Sequence, residues 1–402
     1  MEPRHWLPIL VLFFILGLIL HLPGLISFSA MLITVIALAI WWRNHSLDHV
    51  IYRRRPRYHR GFPGEQIPMR LEVENRKLLP VSWLRIQDLI PKAIAPQEED
   101  SFAPSHIPDK GFLTNLYSLR WYERSHRNFT LLLHKRGMYP VGPALLQSGD
   151  LFGLYETRAE HPSIDLFIVF PQLLPFQSLG LPAEDPFGDR RARRRLYEDP
   201  TQPIGVRDYH PEDSFRRVHW SATAHTGRLQ AKVYQPTPAN VLIVCLNAAT
   251  YEHHWEGVQP QLFEHLISLA ATLVYQGIQD GYRVGLISNG CLAHADQPFR
   301  VPPGRSPNQL AKLLQTLAAA TPLVTAPFER FLIKEVPRLP YGATLIILSS
   351  VTTPAIWETL WQLKHHGRYI TLLSLAKEPP PDIPGIRLFH LPFQFAPNQE
   401  PI

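Results

Sequence analysis

Two apolar runs at the N-terminus, Trp6 to Leu22 and Leu25 to Trp42, constrain this chain most. Each is about as long as a helix must be to cross a hydrocarbon core. Leu22-Pro23-Gly24 lies between them and reads as a tight reversal, because Pro halts one helix and Gly permits the turn. Trp6, Trp41 and Trp42 sit where interfacial aromatics sit. A cleaved signal peptide predicts one run and a small-residue cleavage site, so two runs around a turn predict a transmembrane helical hairpin over residues 1–46.

Charge sets the expected orientation. Arg43, Arg53, Arg54, Arg55, Arg57 and Arg60 follow the second run, and the turn carries no charge. The positive-inside rule then places both termini in the cytoplasm and the turn outside. Residues 47–60 read as a basic juxtamembrane linker drawn to anionic headgroups, so the lipid bilayer is the first expected partner. The formal net charge of +6 gives no reason to expect nucleic acid as another. Cys245 and Cys291 form no spaced pattern, which disfavours a disulfide framework and suits a reducing compartment.

The remainder divides by periodicity. Residues 61–172 hold short alternating runs such as IPMRLEVEN and SWLRIQDLIP with Gly, Pro or Asn between them, which predict an antiparallel β-domain of sandwich type. Residues 173–236 form a connecting segment with a basic cluster, Arg190, Arg191, Arg193, Arg194 and Arg195. The plain reading of that cluster is a solvated loop; the sharper one is a contact surface for an acidic partner. From 237 to 402, continuous apolar strands such as VLIVCLN alternate with helical stretches such as QLFEHLISLAATLVYQGIQDG. That order predicts a doubly wound, mainly parallel α/β sheet, which places ligands at the carboxyl ends of its strands. A helix is expected from Ser306, with Ser306 as its cap and Pro307 in its first turn. Gly304 and Arg305 before it suggest a phosphate loop, although a plain strand-to-helix connection explains them as well. No Gly-x-x-x-x-Gly-Lys loop exists in the chain, so nucleotide hydrolysis is not expected.

The densest chemistry lies in VRDYHPEDSFRRVHWSATAHTGRLQAK, residues 206–232. His219, Ser221 and Asp208 could compose a hydrolase triad, but triads are recognised by geometry and no Gly-x-Ser-x-Gly elbow is present. His210, His219, His225 and Asp213 could compose a zinc site, but no His-Glu-x-x-His or paired-cysteine spacing appears. Arg207, Arg216 and Arg217 with Asp208, Glu212 and Asp213 have the composition of an ion-pair network, since the arginine fork pairs carboxylates bidentately. His219 and Trp220 suit a domain boundary, each having an apolar body and a polar tip. The expectation is a structural clamp and partner surface, with no catalysis and no cofactor.

These residues carry a resemblance. Gly205, Arg207, Asp208, Tyr209, Asp213, Arg216, Arg217, His219, Trp220, Ala222 and Lys232 resemble the signature of the bacterial domain-of-unknown-function 58 family. HKRGMYPVGPALLQSGDLFGLYE, residues 134–156, resembles the segment that precedes it. The resemblance implies a von Willebrand factor A-like C-terminal domain in a protein of the bacterial plasma membrane. It further implies partnership with a MoxR-type AAA+ ATPase and with a transglutaminase-like membrane protein. The A-like fold often carries a metal site built on Asp-x-Ser-x-Ser, with a second acidic residue on a later loop. Asn247, Ala249 and Tyr251 stand at the first three of those positions and Ser350 at the later one. Magnesium wants oxygen ligands, anionic ones above all. A degenerate, metal-free site is therefore expected.

Overall fold

The computed structural model describes residues 6–97, 102–175, 196–211, 213–238, 241–293 and 295–393. The basic cluster at 190–195 lies outside them. The chain forms two compact units, Met1–Phe170 and Pro171–Ile402. The 205–232 segment thus belongs to the second unit.

The first unit opens with helices α1 (Trp6–Ile19) and α2 (Pro23–Ser46). His21 takes a left-handed conformation at φ 52°, and Pro23 starts α2 where its missing N–H costs nothing. At about 1.5 Å per residue α2 is ~36 Å long, enough for a hydrocarbon core of roughly 30 Å. It is the helix among the described residues that is long and apolar enough to cross a membrane. The first run was expected to be helical to Leu22, but α1 stops at Ile19 and rises only ~21 Å. The second run extends past Trp42 to Ser46.

Residues 47–60, expected as a linker, hold a strand at their centre. β1 (Val50–Pro56) pairs antiparallel with β3 (Gln66–Asn75), and β2 (Arg60–Gly61) follows. Its sequence VIYRRRP hides the alternation because one inward position is an arginine. Tyr52 and Arg54 point inward while Arg53 and Arg55 point out. The Arg54 side chain is 1% exposed, with Nε 2.9 Å from Asp88 Oδ1 and Nη1 2.7 Å from Asp165 Oδ2. Tyr52 donates its hydroxyl proton to the same Asp88 carboxylate. Burial pushes the Asp88 carboxyl upward and the Arg54 guanidinium opposes that push. Arg54 is therefore unavailable to lipid headgroups.

The rest of the unit is β-structure: β4 (Val81–Pro91), β5 (Phe102–Pro104), β6 (Lys110–Leu119), β7 (Arg124–Leu132), β8 (Gly137–Val141), β9 (Ala144–Gly149), β10 (Glu156–His161) and β11 (Asp165–Val169). The sheets run β1-β3-β7, β10-β9-β4-β6-β5 and β2-β11-β8. Met69, Leu71 and Val73 of β3 and Leu84, Ile86 and Ile90 of β4 meet in one core. Alternate residues of each strand therefore supply one shared interior, as in a sandwich. β11 pairs parallel with β2 at its margin.

The end of α2 is fastened to this unit. Lys77, between β3 and β4, donates from Nζ to the carbonyls of Ser46 and Asp48, the latter at 2.6 Å. Burial holds its ammonium down, to about 8. Ala39 and Ser46 are buried, and Leu47 and Val50 pack against the β-core.

The second unit begins with a two-stranded ribbon, β12 (Leu196–Asp208) and β13 (Gln230–Pro238), with helix α3 (Trp220–Thr226) in the connection. The six-stranded sheet follows: β14 (Val241–Leu246), β15 (Arg283–Ser288), β17 (Phe299–Gly304), β19 (Thr344–Ser349), β20 (Tyr369–Ser374) and β21 (Arg387–His390), in the order β17-β15-β14-β19-β20-β21. All neighbours are parallel except the β15–β17 pair at the edge. β16 (Gly290–Leu292) and β18 (Ala320–Val324) form a separate pair. Helices α4 (Pro260–Gln279), α5 (Gln309–Ala319), α6 (Phe328–Glu335) and α7 (Pro354–His365) cover the sheet. Strand alternation assigns the faces. Val241, Ile243 and Cys245 pack with α6 and α7, whereas Leu242 meets α4 at Gly277, where a Cβ would lie 2.7 Å from its Cδ2. A strand buried on both faces reads as an unbroken apolar run, which is why VLIVCL was recognisable. Burial pushes the Cys245 thiol up, so it behaves as a small hydrophobe.

Helix α5 differs from expectation. It starts at Gln309 with Asn308 as N-cap, and Ser306 only accepts the Asn308 N–H in the preceding turn at 3.3 Å. The Gln309 side chain reaches back to donate to Val284 O at 3.0 Å and Pro302 O at 2.9 Å. Gly304 serves this reach: a Cβ there would lie 2.9 Å from Gln309 Oε1. The glycine is explained by packing, and the phosphate-loop reading loses its motive.

Candidate functional site

Two constellations were expected to carry function, and the structure places both in the second unit.

The first is the end of the sheet where β14, β15 and β19 finish. Each strand hands over to a polar residue as its apolar run ends. Asn247 donates from Nδ2 to Ser349 Oγ at 2.9 Å. Its Oδ1 accepts the Ala249 N–H at 3.0 Å and the Asn289 Nδ2 proton at 3.1 Å. Asn289 Oδ1 accepts the Ala248 N–H at 2.8 Å, and Nδ2 also donates to Ala326 O at 3.0 Å. Ser349 donates to Val351 O at 2.6 Å, and Ser350 to Ala249 O at 3.1 Å. Asn247, Asn289 and Ser349 are essentially buried. Amide and hydroxyl groups thus bind three loops together, with each oxygen already engaged and no carboxylate among them.

This donor set does not fit a hard divalent cation, which needs several free, preferably anionic oxygens. Asn247, Ala249 and Ser350 lie in the network, while Tyr251 stands outside it on the rim. Sequence reasoning missed Asn289 and Ser349. Their signal was available: in GLISNG and LIILSS a small polar residue directly follows a buried strand.

Above this floor lies a pocket of about 560 Å³, bounded by Tyr251, Glu252, His253, Trp255, Glu329 and Thr353. His253 and Trp255 stack at 4.5 Å with rings 5° apart. Trp255 is 71% exposed. Helices α6 and α7 both begin at the pocket wall, and Thr353 caps α7 by accepting the Ile356 N–H at 3.4 Å. The switch point of a doubly wound sheet is the expected place for a ligand-binding crevice.

The second constellation is the 205–232 segment. Gly205, Arg207 and Asp208 end β12, opposite Val233, Ala231 and Gln230, and Lys232 faces Val206. Arg207 grips Asp213 with two bonds, Nη1–Oδ2 at 2.8 Å and Nη2–Oδ1 at 2.6 Å. Asp213 also accepts the His210 N–H at 2.9 Å, and Tyr209 donates its hydroxyl proton to Asp213 O at 2.9 Å. The Arg207 guanidinium holds the Asp213 carboxyl below its usual range. The predicted ion pairing is therefore real for Arg207 and Asp213. Asp208 instead accepts a proton from Gln230 Nε2 at 2.6 Å. Arg217 lies over the Tyr234 ring at 5.9 Å, while Arg216 is exposed.

His219 caps α3: its Nδ1 accepts the Ala222 N–H at 3.0 Å. Among the described residues no hydrogen bond joins His219 to Asp208 or Ser221, so the triad is not assembled. Among the same residues no three His, Cys, Asp or Glu side chains are grouped as a metal requires, so His210, His219, His225 and Asp213 are not brought together. Trp220 is 66% exposed within the second unit's ribbon, and Phe215 is exposed as well. A seven-residue helix on a ribbon has too little interior to bury either ring.

These geometries give the comparisons their context. Residues 205–335 match the family described as protein of unknown function DUF58. The match runs from the end of β12 through β14 to the end of α6, and so takes in the 205–232 segment together with Asn247 and Asn289, but not Ser349, Ser350 or Thr353. The uncharacterized protein YeaD of Bacillus subtilis (strain 168) is 21% identical over 230 residues, 56% of this chain and 52% of YeaD. The chain thus spans about half the length of this curated relative. Among solved structures, the CARDB domain of the PF1109 protein from Pyrococcus furiosus is similar over 30% of this chain and 84% of that one, at 12% identity and TM-score 0.20. Sporulation control protein Spo0M from Bacillus subtilis covers 30% of this chain and 49% of its own, at 13% identity and TM-score 0.18. Likenesses of that size carry no functional argument.

Proposed function

We propose that this chain is a membrane-anchored docking component whose C-terminal unit is a metal-independent von Willebrand factor A-like domain. The sheet order, with one antiparallel edge strand, supports the A-like reading. The observation that carries the functional reading is the pocket over Asn247, Asn289 and Ser349. It has a ligand-binding position, exposed aromatics and two helix N-termini, yet its floor is a closed neutral network. Such a site holds a partner by packing and hydrogen bonds, without a bridging cation. The partner proposed is a MoxR-type AAA+ ATPase, with a transglutaminase-like membrane protein as a further member of the assembly. The chain supplies no catalysis of its own, and the ribbon that carries the signature serves as a second contact surface.

The test is affinity purification of the tagged chain from native membranes with nucleotide present, followed by mass spectrometry. The expected result is recovery of an AAA+ ATPase with the wild type and its loss with Trp255→Ala. Hot-spot aromatics at interfaces cost about 2 kcal/mol or more when truncated, roughly thirtyfold in affinity. Recovery of the ATPase at equal yield with Trp255→Ala would remove the pocket from the reading. Reproducible recovery of the chain alone would remove the docking role.

We further propose a two-pass anchor in the bacterial plasma membrane, with α1 and α2 both inserted and both termini cytoplasmic. The basic residues after α2 support it, although Arg54 drops out of that count and Arg55 pairs with Glu72 at 2.8 Å. Cysteines introduced at Glu2 and Arg57 should both resist membrane-impermeant thiol reagents in intact cells and react after lysis. Labelling of either from outside would overturn the topology.

A further inference from the structure

A second pocket, of about 360 Å³, lies beside the first between the start of β17 and helix α6. Arg300, Arg330, Lys334 and Arg338 line it around the single carboxylate of Glu335. Arg300 Nη1 lies 3.1 Å from Glu335 Oε2, and Arg338 Nη1 lies 3.0 Å from Oε1. The Glu335 side chain is 10% exposed, so one near-buried acid orients two guanidinium forks that remain open to solvent. Arg330 and Lys334 form no ion pair among the described residues.

We propose that this pocket binds a compact phosphate-bearing anion. Four cations on one concave surface raise a positive potential that the single acid only partly offsets. Pairing with Glu335 accounts for Arg300 and Arg338, but folding alone gives no reason for Arg330 and Lys334 beside them. Arg330 and Lys334 are one turn apart on α6, where like charges repel. Arg330 also lies in the first turn of that helix, where the backbone dipole disfavours a cation. The cations converge from β17, from α6 and from the turn that follows α6 instead of dispersing over a solvated face. A phosphate group offers several oxygens to several N–H donors, and planar arginine forks match it bidentately. The ring residues of the lining, Phe299 and Phe331, are buried, so no exposed aromatic is present to stack a base. The recognised chemistry is thus the phosphate itself, from a small soluble phosphoester or from a phospholipid headgroup. This binding does not depend on the docking partner, and loss of one reading leaves the other standing.

The experiment is calorimetric titration of the full chain in zwitterionic nanodiscs, with pyrophosphate as one probe and short-chain phosphatidic acid as the other. At least one probe should bind, and binding should weaken as salt rises. The Arg330→Gln and Lys334→Gln double variant should lose about tenfold or more in affinity, on the scale of charge-assisted hydrogen bonds. Both side chains are exposed, and an unchanged circular dichroism spectrum and melting point would confirm that the fold is kept. Binding of pyrophosphate alone would assign a soluble ligand, and binding of phosphatidic acid alone a headgroup. Binding of neither, or equal affinity in a folded double variant, would overturn the proposal.

Discussion

Arg54→Leu is expected to destabilise the first unit by about 3–5 kcal/mol, the usual result of removing one member of a buried ion pair. The variant leaves Asp88 wholly buried without its cation, and Ser163 O and Asp165 lose their donor as well. The deficit should depend on pH in a specific direction. Without Arg54, burial of Asp88 is opposed mainly by the Tyr52 hydroxyl, so its folded pKa rises further above the unfolded carboxylate value. A group with a raised folded pKa weakens the fold as pH rises past the unfolded value. The gap between variant and wild type should therefore be smaller at pH 5 than at pH 8. Urea unfolding of the full chain in detergent, followed through the β-unit, would measure it. A deficit below about 1 kcal/mol would mean that Arg54 is a surface charge after all. The double change Arg54→Met with Asp88→Leu should recover much of the loss, since an apolar pair needs no desolvation of charge.

Asn289→Ala is expected to cost the second unit about 3 kcal/mol, from buried groups left without partners. Ala248 N and Asn247 Oδ1 each lose a buried bond, and the half-buried Ala326 O loses its donor as well. The readout is the thermal midpoint together with hydrogen exchange of the Ala248 amide. The midpoint should fall and that amide should exchange faster than its neighbours in β14. Added magnesium should restore neither, because the network holds no site for it. Recovery of the midpoint with magnesium would contradict the neutral-floor reading.

The sequence revealed those elements in which one physical signal dominates. IPMRLEVEN alternates because the inward side chains of β3 from Ile67 to Val73 are apolar, with buried Asn75 following only at its end. β14 is continuous because both of its faces are covered. β1 was obscured by the same arginine that makes it interesting, since Arg54 occupies a core position that only Asp88 and Asp165, more than thirty residues away, make tolerable. Helix α6 was missed because its eight residues hold too few turns for a period to register. At the site, the lack of acids at Asn247 and Ser350 was legible directly. The partnership of Asn247 with Asn289 was not, because the two meet only once β14 and β15 lie side by side. In the 205–232 segment, composition indicated ion pairing but could not assign partners. Arg207 chose Asp213, six residues on, over its neighbour Asp208, which the strand ladder turns toward Gln230.

Only Leu47, Asp48 and His49 separate α2 from β1, and Lys77 ties that joint to the loop after β3. A flexible tether of fourteen residues would let the β-unit wander by about 20 Å. The joint as built has no such slack. The foot of α2 and the start of β1 are instead held at one place by Lys77, so the β-sandwich is mounted directly on the helix end and not hung from it.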